Sequence, residues 1–235
     1  MELGKKSVII IIGPPGSGKG TQAQLLADKL GYYYFETSKI IEGKVMHVKK
    51  GEFKIIDGKK YVFSEEKRKW EIGKLVSPPI VTFWVQKRIR ELAGENQSLV
   101  IAGSPRSSFE AERVMPAIEK LYGKKNIKTI LFNLSEKGSL FRNSHRRICQ
   151  LMRHPILFNK DTKNLKTCPL DGSRIVERKK LDDPETVKVR LKVYKAETMP
   201  VIDYLKKHKY FVKTVSAEPA PSVIFANNLK ALNIK

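Results

Sequence analysis

The fold is decided near the start of the chain, by the stretch Val8-Ile9-Ile10-Ile11-Ile12-Gly13-Pro14-Pro15-Gly16-Ser17-Gly18-Lys19-Gly20-Thr21. Its first five residues form an unbroken β-branched run, which is typical of a strand buried on both faces of a parallel sheet. Apolar residues then recur at helical spacing and predict a helix over 21–30, followed by a second strand over 32–35. Together these elements form a strand–loop–helix–strand unit.

The loop inside this unit has the chemistry of a phosphate-binding site. Its glycines leave backbone N–H groups open to an anion, because no Cβ stands in the way. The start of the following helix adds a partial positive charge, and Lys19 can reach the outer phosphates as a point charge. The generic phosphate-loop pattern places Ser or Thr directly after the lysine, whereas here Gly20 precedes Thr21.

The rest of the chain continues the alternation of strands and helices. The pattern predicts strands over 99–102, 128–134 and 210–215, and helices over 80–92, 109–121, 136–147 and 222–232. We expect a longer helical stretch over 185–207 to be broken or bent near Pro200. This alternation predicts an α/β fold in which helices cover both faces of a parallel sheet.

Two stretches interrupt the alternation and are typical of insertions that cover a site. In the first, over 43–73, two β-rich runs flank Asp57-Gly58 and predict a hairpin over 53–63. The second, over 149–183, is rich in turns and charges and contains both cysteines of the chain, Cys149 and Cys168.

The composition is that of a basic protein with enough apolar residues for a core. Of the 235 residues 41% are hydrophobic, and 46 Lys and Arg against 24 Asp and Glu give a formal net charge of +22. Because the lysines are dispersed along the chain, they favour a solvated surface over a nucleic-acid footprint.

Two cysteines are too few for a disulfide framework, and the first apolar run is far shorter than the ~20 residues of a membrane helix. We therefore expect a cytoplasmic protein without a membrane span.

Several segments resemble the motifs of one known family, in the order in which that family has them. The loop form Gly-Ser-Gly-Lys-Gly-Thr resembles that of the adenylate kinase family, in which a glycine also separates the lysine from the threonine. The other similar segments are Thr37, Gly73-Lys74-Leu75-Val76, Gly103-Ser104-Pro105-Arg106, Arg142-Asn143-Ser144-His145-Arg146-Arg147, Asp182-Asp183-Pro184-Glu185-Thr186-Val187-Lys188-Val189-Arg190-Leu191 and Met199-Pro200-Val201-Ile202-Asp203-Tyr204.

This resemblance implies a single phosphate-loop kinase domain over 1–235, with a five-stranded parallel sheet in a three-layer αβα arrangement. It implies an insert over 37–77 that binds the acceptor nucleoside monophosphate, and a lid over 145–182. The implied reaction is reversible transfer of the γ-phosphoryl group from MgATP to AMP or another nucleoside monophosphate. We expect Mg²⁺ as the metal that accompanies ATP, and a monomer.

The family's motifs also imply roles for individual residues. The catalytic group would be Lys19, Arg106, Arg146 and Arg190. ATP would be bound by Gly16, Ser17, Gly18, Lys19, Gly20, Thr21, Arg142, Arg146 and Arg178, with Lys179 or Lys180 as alternatives to Arg178. The acceptor would be bound by Thr37, Lys39, Lys74, Leu75, Val76, Gly103, Arg106, Glu110 and Arg190.

The sequence departs from the family around the acceptor and the metal. Ala102 stands where the family carries an Asp that holds a magnesium-bound water, and Lys39 and Glu42 stand where it carries Asp and Arg. Glu110 replaces a Gln that reads adenine, and a carboxylate, which only accepts hydrogen bonds, suits guanine instead. Either Glu110 reads the base, which shifts the acceptor preference or weakens AMP binding, or it points to solvent and a backbone carbonyl reads the base.

The cysteine-containing stretch resembles the zinc-binding lids of many relatives, with one difference. Cys149, Cys168 and Asp171 occupy ligand positions of that pattern, while Met152 stands where a further cysteine is expected. A thioether is a poor zinc ligand, so His154 would complete a tetrahedral set. The alternative is a metal-free lid that is held by hydrogen bonds and apolar packing.

Three functions compete at this point. The first is an active kinase, and the second is a nucleotide-binding paralogue with little turnover, which Ala102 and Glu42 favour. The third is a nucleic-acid-binding protein, which the net charge favours. A protein that binds single strands is expected to interleave aromatic residues with arginines. The sequence lacks such a motif, and this argues against the third function.

Overall fold

The computed structural model describes residues 6–46, 49, 51–177 and 182–234. Within these residues the strands are β1 (Val8–Ile12), β2 (Tyr33–Glu36), β3 (Phe53–Ile56), β4 (Lys59–Val62), β5 (Leu99–Ala102), β6 (Ile127–Asn133), β7 (Arg147–Cys149), β8 (Pro155–Ile156), β9 (Ile175–Glu177) and β10 (Phe211–Ser216). Five of them form the central sheet in the order β10-β6-β1-β5-β2, and each neighbouring pair is parallel. The predicted five-stranded parallel sheet is confirmed.

The first strand is buried on both faces, as its β-branched run predicts. Val8, Ile10 and Ile12 point into one apolar core, while Ile9 and Ile11 point into a second core on the other side of the sheet. The central position of β1 in the sheet explains this burial, because helices cover it from both sides.

The helices are α1 (Lys19–Leu30), α2 (Thr37–Val45), α3 (Phe63–Glu71), α4 (Pro78–Gly94), α5 (Ser108–Tyr122), α6 (Glu136–Ser144), α7 (Pro184–Val193), α8 (Met199–Lys207) and α9 (Pro221–Leu232). Residues of α1 and α9 pack on one face of the sheet, and residues of α4, α5 and α8 pack on the other. This is the predicted three-layer αβα arrangement. Within the described residues no helix combines the length and the apolar character that a bilayer crossing requires.

Two helix predictions differ from the structure at their ends. The helix predicted over 136–147 ends at Ser144, because Arg147 begins β7 and pairs with Ile156 and Glu177 on the two flanking strands. The long helical stretch is interrupted, as expected, by a π-helical turn over Tyr194–Thr198 directly before Pro200.

The first insertion contains the predicted hairpin and two helices that the sequence pattern did not predict. Strands β3 and β4 pair antiparallel around Asp57 and Gly58, whose φ angles of 50° and 73° suit a tight hairpin turn. Helix α2 precedes the hairpin and α3 follows it. The acceptor insert over 37–77 stays a prediction as a functional unit.

The second insertion forms a small sheet of its own. Its strands lie in the order β8-β7-β9, with antiparallel pairing throughout. This sheet follows directly after α6, and the chain then continues to α7 through a segment that the structure does not describe. Its assignment as a lid over 145–182 also stays a prediction.

Candidate functional site

The loop between β1 and α1 adopts a conformation that glycines permit. Gly16 and Gly18 have φ angles of 76° and 79°, in the left-handed region that side chains disfavour. Lys19 folds back over the loop, and its Nζ donates hydrogen bonds to the carbonyl oxygens of Gly13 and Pro14 at 2.7 and 2.8 Å. The loop therefore curls around its own lysine at the start of α1, where backbone N–H groups and the helix end attract anions.

Helix α6 braces this loop from behind. Ser139 donates its hydroxyl proton to the carbonyl oxygen of Pro15 at 2.7 Å, and Nδ2 of Asn143 donates to the carbonyl oxygen of Ser139 at 2.7 Å. A Cβ added at Gly16 would lie 2.5 Å from Nδ2 of Asn143. Any side chain at Gly16 would therefore displace this brace. No sequence pattern points to Ser139 and Asn143, since only the packing of α6 gives them this role.

Three arginines from distant parts of the chain lie close to Lys19. Arg106 follows β5, Arg146 follows α6, and Arg190 belongs to α7. Burial lowers the pKa of Lys19 well below its ordinary value, and the positive charges of Arg106, Arg190 and Arg146 lower that pKa further. Because like charges repel strongly in a poorly hydrated place, this arrangement favours an anion among them.

Arg106 is held over the turn that follows β5. Gly103 has a φ of 92°, and a Cβ at this position would lie 2.5 Å from Nη2 of Arg106, so the guanidinium covers the glycine. Thr198 donates its hydroxyl proton to the carbonyl oxygen of Arg106 at 2.8 Å. Burial lowers the pKa of Arg106, while the negative charges of Glu110 and Glu36 oppose that shift.

Asp182 lies between the other two arginines. Its Oδ1 is 3.7 Å from Nη1 of Arg146 and 3.6 Å from Nη1 of Arg190. The side chain of Asp182 is only 6% exposed, and neither of its carboxylate oxygens has a hydrogen-bond partner among the described residues. Asp182 therefore attracts Arg146 and Arg190 by its charge, not by hydrogen bonds to its carboxylate oxygens. The sequence placed Asp182 in a matching segment but gave it no role.

The segment 73–76 approaches the arginines at its first residue. Gly73 has a φ of 80°, and a Cβ there would lie 2.9 Å from Cγ of Arg190. The far end of the segment is fixed by Glu66, which is buried and accepts hydrogen bonds from the backbone N–H and the hydroxyl of Ser77 at 2.7 and 2.8 Å. Of the predicted acceptor residues in between, Lys74 is exposed, Leu75 is half-buried and Val76 is buried.

Other predicted residues lie outside the basic cluster. Arg142 donates hydrogen bonds to the carbonyl oxygens of Ala217, Glu218 and Pro219, and is thereby tied to the loop before α9. The remaining ATP candidates Arg178, Lys179 and Lys180 lie outside the described residues.

The acceptor candidates Thr37 and Lys39 lie on α2 together with Glu42, which is not an acceptor candidate, and the three residues have different surroundings. Thr37 is buried, and its Oγ1 has no hydrogen-bond partner among the described residues. Lys39 is largely exposed, and its Nζ lies 3.5 Å from a carboxylate oxygen of Glu36. Glu42 lies 4.0 Å from Nη2 of Arg153, a residue of the second insertion.

Glu110 does not point to solvent, so that alternative from the sequence is wrong. The residue is 2% exposed, and its Oε2 accepts hydrogen bonds from the hydroxyl of Ser104 at 2.9 Å and from the backbone N–H of Arg106 at 3.2 Å. Burial raises the pKa of Glu110, while the hydrogen bond from Ser104 and the charge of Arg106 act against that shift. Glu110 thus braces the turn that carries Arg106 through Oε2. If Glu110 also reads a base, it must do so with its other carboxylate oxygen.

The four candidate metal ligands of the second insertion come together. One ligand atom from each of Cys149, His154, Cys168 and Asp171 lies within 4.8 Å of the others. Oδ2 of Asp171 is 3.0 Å from Sγ of Cys149 and 3.4 Å from Nδ1 of His154. Two sulfurs, one imidazole and one carboxylate at such spacing fit a tetrahedral zinc ion. Met152 is 63% exposed, so it takes no part in the group.

Comparison with known proteins agrees with this architecture. A family model described as adenylate kinase matches residues 11–210. The chain is 31% identical to an adenylate kinase of Caldicellulosiruptor saccharolyticus over 97% of this chain and 99% of the relative. It is 30% identical to an adenylate kinase of Borrelia turicatae over 85% of this chain and 87% of the relative, and 32% identical to one of Methanothrix thermoacetophila over 85% and 86%.

The lowered pKa of Lys19 predicts how anion binding depends on pH. Lys19 loses its proton at a lower pH than an ordinary lysine, so the affinity for inorganic tripolyphosphate should begin to fall well before the pH reaches the ordinary lysine pKa of about 10.4, by at most about tenfold per pH unit. Isothermal titration calorimetry measures this affinity. In Lys19→Arg the charge persists over the whole range, and this variant also controls for ionisation of the anion. Equal pH profiles for the two proteins would show that Lys19 does not change its charge in this range.

Proposed function

The chain belongs to the adenylate kinase family and is a phosphotransferase, and we propose that it transfers the γ-phosphoryl group of MgATP reversibly to AMP or another nucleoside monophosphate. One observation carries this proposal: Arg106, Arg146 and Arg190 approach Lys19 closely enough for their charges to lower its pKa. Phosphoryl transfer requires position and positive charge more than an acid or a base, and this cluster supplies both.

Each member of the cluster then has a distinct task. The backbone N–H groups of residues 16–21 and Lys19 hold the donor phosphates at the start of α1. Arg106, at the carboxyl end of β5, holds the phosphate of the acceptor. Arg146 and Arg190 bind the transferring group between them, where charge is spread over the phosphoryl oxygens during transfer.

The site must also exclude water, which would otherwise compete with the acceptor. Arg146 lies directly before the second insertion, so a movement of that insertion towards α1 would carry the arginine with it. Arg142, fixed to the loop before α9, would contact the base of ATP. The proposed movement of Arg146 and the proposed base contact of Arg142 both follow from the position of α6, which lies between the phosphate loop and the second insertion.

Magnesium, when bound with ATP, neutralises phosphate charge and orients the triphosphate group. Thr21, in the first turn of α1, offers a hydroxyl oxygen of the kind that Mg²⁺ accepts in phosphate-loop sites. The site also contains carboxylates close to the basic cluster, namely Glu36, Glu110 and Asp182, so its residues include the oxygen ligands that a hydrated magnesium ion prefers.

All four basic groups come from one chain, and we propose that the protein acts as a monomer. Both cysteines are free thiols, which suits the reducing setting of the cytoplasm that we propose for it.

The residues of this chain differ from those of the family mainly where the acceptor nucleotide is expected to bind. Glu110 is buried beside Arg106, and we propose that it presents a carboxylate to the acceptor where the family has an amide. A carboxylate oxygen accepts hydrogen bonds from the two adjacent donors of guanine, whereas adenine needs a donor as well. We propose that this residue lowers the preference for AMP relative to GMP.

The acceptor preference is tested by a coupled assay of nucleoside diphosphate formation with ATP, Mg²⁺ and AMP, GMP, CMP or UMP. We expect turnover, and in Glu110→Gln a shift of kcat/KM towards AMP over GMP by about tenfold or more, since one hydrogen bond to a buried charged group is worth about 1.5–3 kcal/mol. Glu112→Gln is the matched control, because Glu112 lies on the same helix with an exposed side chain.

Two results would overturn parts of this proposal. A strong and exclusive preference of the unchanged protein for AMP would contradict the role of Glu110. No turnover above that of Lys19→Met with any of the four acceptors would leave a nucleotide-binding paralogue, the alternative that Ala102 and Glu42 favour.

We further propose that Cys149, His154, Cys168 and Asp171 hold a structural zinc ion, because their ligand atoms already lie within 4.8 Å of one another. Zinc would replace the weak hydrogen bonds that now connect these side chains, and would tie β7 to the two turns of the second insertion.

Metal analysis of the purified protein should find about one equivalent of zinc, and chelation should lower the melting temperature. Cys168→Ser should lose the metal, whereas Met152→Leu, in the same insertion but outside the ligand group, should keep it. Less than about half an equivalent of zinc, with a melting temperature that chelation leaves unchanged, would mean a metal-free lid.

A further inference from the structure

Glu36 lies beside the position at which this chain lacks an expected acidic group. In the parallel pairing of β2 with β5, Glu36 is the partner of Ala102, and the two residues end their strands side by side. Partner residues of neighbouring strands point to the same face of a sheet. Ala102 faces the core under α1, so Glu36 emerges on the α1 side of the sheet as well.

Tyr34 shows how close this face comes to the phosphate loop. It lies two residues before Glu36 on the same face of β2, and its hydroxyl oxygen is 3.1 Å from where a Cβ of Gly20 would stand. Burial raises the pKa of Tyr34, and the nearby negative charge of Glu36 raises it further. The Glu36 carboxylate is therefore a neighbour of the tyrosine whose hydroxyl lies close to Gly20, in the first turn of α1.

The surroundings of Glu36 suit a group that meets a hydrated cation. Its side chain is 26% exposed, so the carboxylate is half-buried and still accessible to solvent. It accepts a hydrogen bond from the hydroxyl of Ser38 at 2.6 Å and lies 3.5 Å from Nζ of Lys39. It is also near enough to Arg106 for its charge to raise the pKa of that arginine.

The two other carboxylates near the basic cluster are already engaged in different tasks. Glu110 is buried and braces the turn that carries Arg106 through Ser104 and the backbone. Asp182 lies between Arg146 and Arg190. Among these three carboxylates, Glu36 is the one that lies beside Ala102 at the end of a neighbouring strand.

We infer that Glu36 binds the hydrated magnesium ion that accompanies ATP, and that it does so in place of an acidic side chain at position 102. Mg²⁺ keeps several of its waters and is held in proteins by one or two carboxylates together with substrate phosphates. A carboxylate at the end of β2, beside Ala102 and on the face of the sheet that α1 covers, can meet this requirement from the neighbouring strand. The inference rests on the proposed function, since it needs ATP at the phosphate loop.

The test measures the coupling between magnesium and ATP without any turnover. Calorimetry gives the Kd of ATP in the presence of Mg²⁺ and in the presence of EDTA, with no acceptor added. We divide the Kd with Mg²⁺ by the Kd with EDTA. This ratio cancels any effect of a substitution on folding or on binding of the nucleotide alone. In Glu36→Gln we expect this ratio to rise by about 10- to 100-fold, as is usual when a group that supports a bound metal is lost.

Two further variants show whether the effect is local and specific. Glu36→Gln combined with Ala102→Asp should restore the ratio of the unchanged protein, because it returns a carboxylate to the adjacent strand end. Glu42→Gln should leave the ratio unchanged, since Glu42 lies in α2, the helix that begins directly after Glu36, and its carboxylate faces Arg153.

The outcomes separate this inference from the function on which it rests. An unchanged ratio in Glu36→Gln, in a protein that binds ATP, would overturn the inference and leave the kinase proposal standing. A protein that binds ATP neither with Mg²⁺ nor with EDTA would overturn both.

Discussion

Repulsion among four positive charges around the start of α1 is the constraint on which the rest of the structure depends. Lys19 is half-buried near Arg106, Arg146 and Arg190, and the charges of these arginines lower its pKa. In water such repulsion would be small, but in a poorly hydrated place it is several times stronger. The folded chain holds these groups together because each one is fixed by a separate part of the scaffold.

Carboxylates distributed through the site relieve the repulsion without removing it. Asp182 balances Arg146 and Arg190, while Glu110 and Glu36 balance Arg106. The net charge of the group stays positive, so a chain of phosphates can bind where the arginines meet. A site that attracts the transferring group in this way is already arranged for the charge that spreads over its oxygens during transfer.

The sequence predicts the framework well because its signals there are local. The β-branched run at Val8–Ile12 and the glycines after it specify a buried strand and an anion-binding loop on their own. The end of α6 and the helices α2 and α3 were not predicted, because strand pairing at Arg147 and packing against the core decide them. Local propensity does not contain this information.

The site could be predicted only in part, for a related physical reason. The basic residues were found because they occur in segments that resemble known motifs. Asp182 and Glu36 were missed as members of the site, since their roles depend on which distant residues they meet. For Glu36 this is the register between β2 and β5, which places its carboxylate beside Ala102.

The convergence of the basic groups is tested most directly by comparing the affinities of ATP and adenosine 5′-pentaphosphate, whose two added phosphates would extend towards Arg106 and Arg190 if the site is arranged as we propose. We expect the pentaphosphate to bind at least about tenfold more tightly, because each charge-assisted hydrogen bond contributes about 1.5–3 kcal/mol, and we expect Arg106→Met to lose most of this gain. Equal affinities of the two nucleotides for the unchanged protein would contradict a common site for Lys19 and the three arginines.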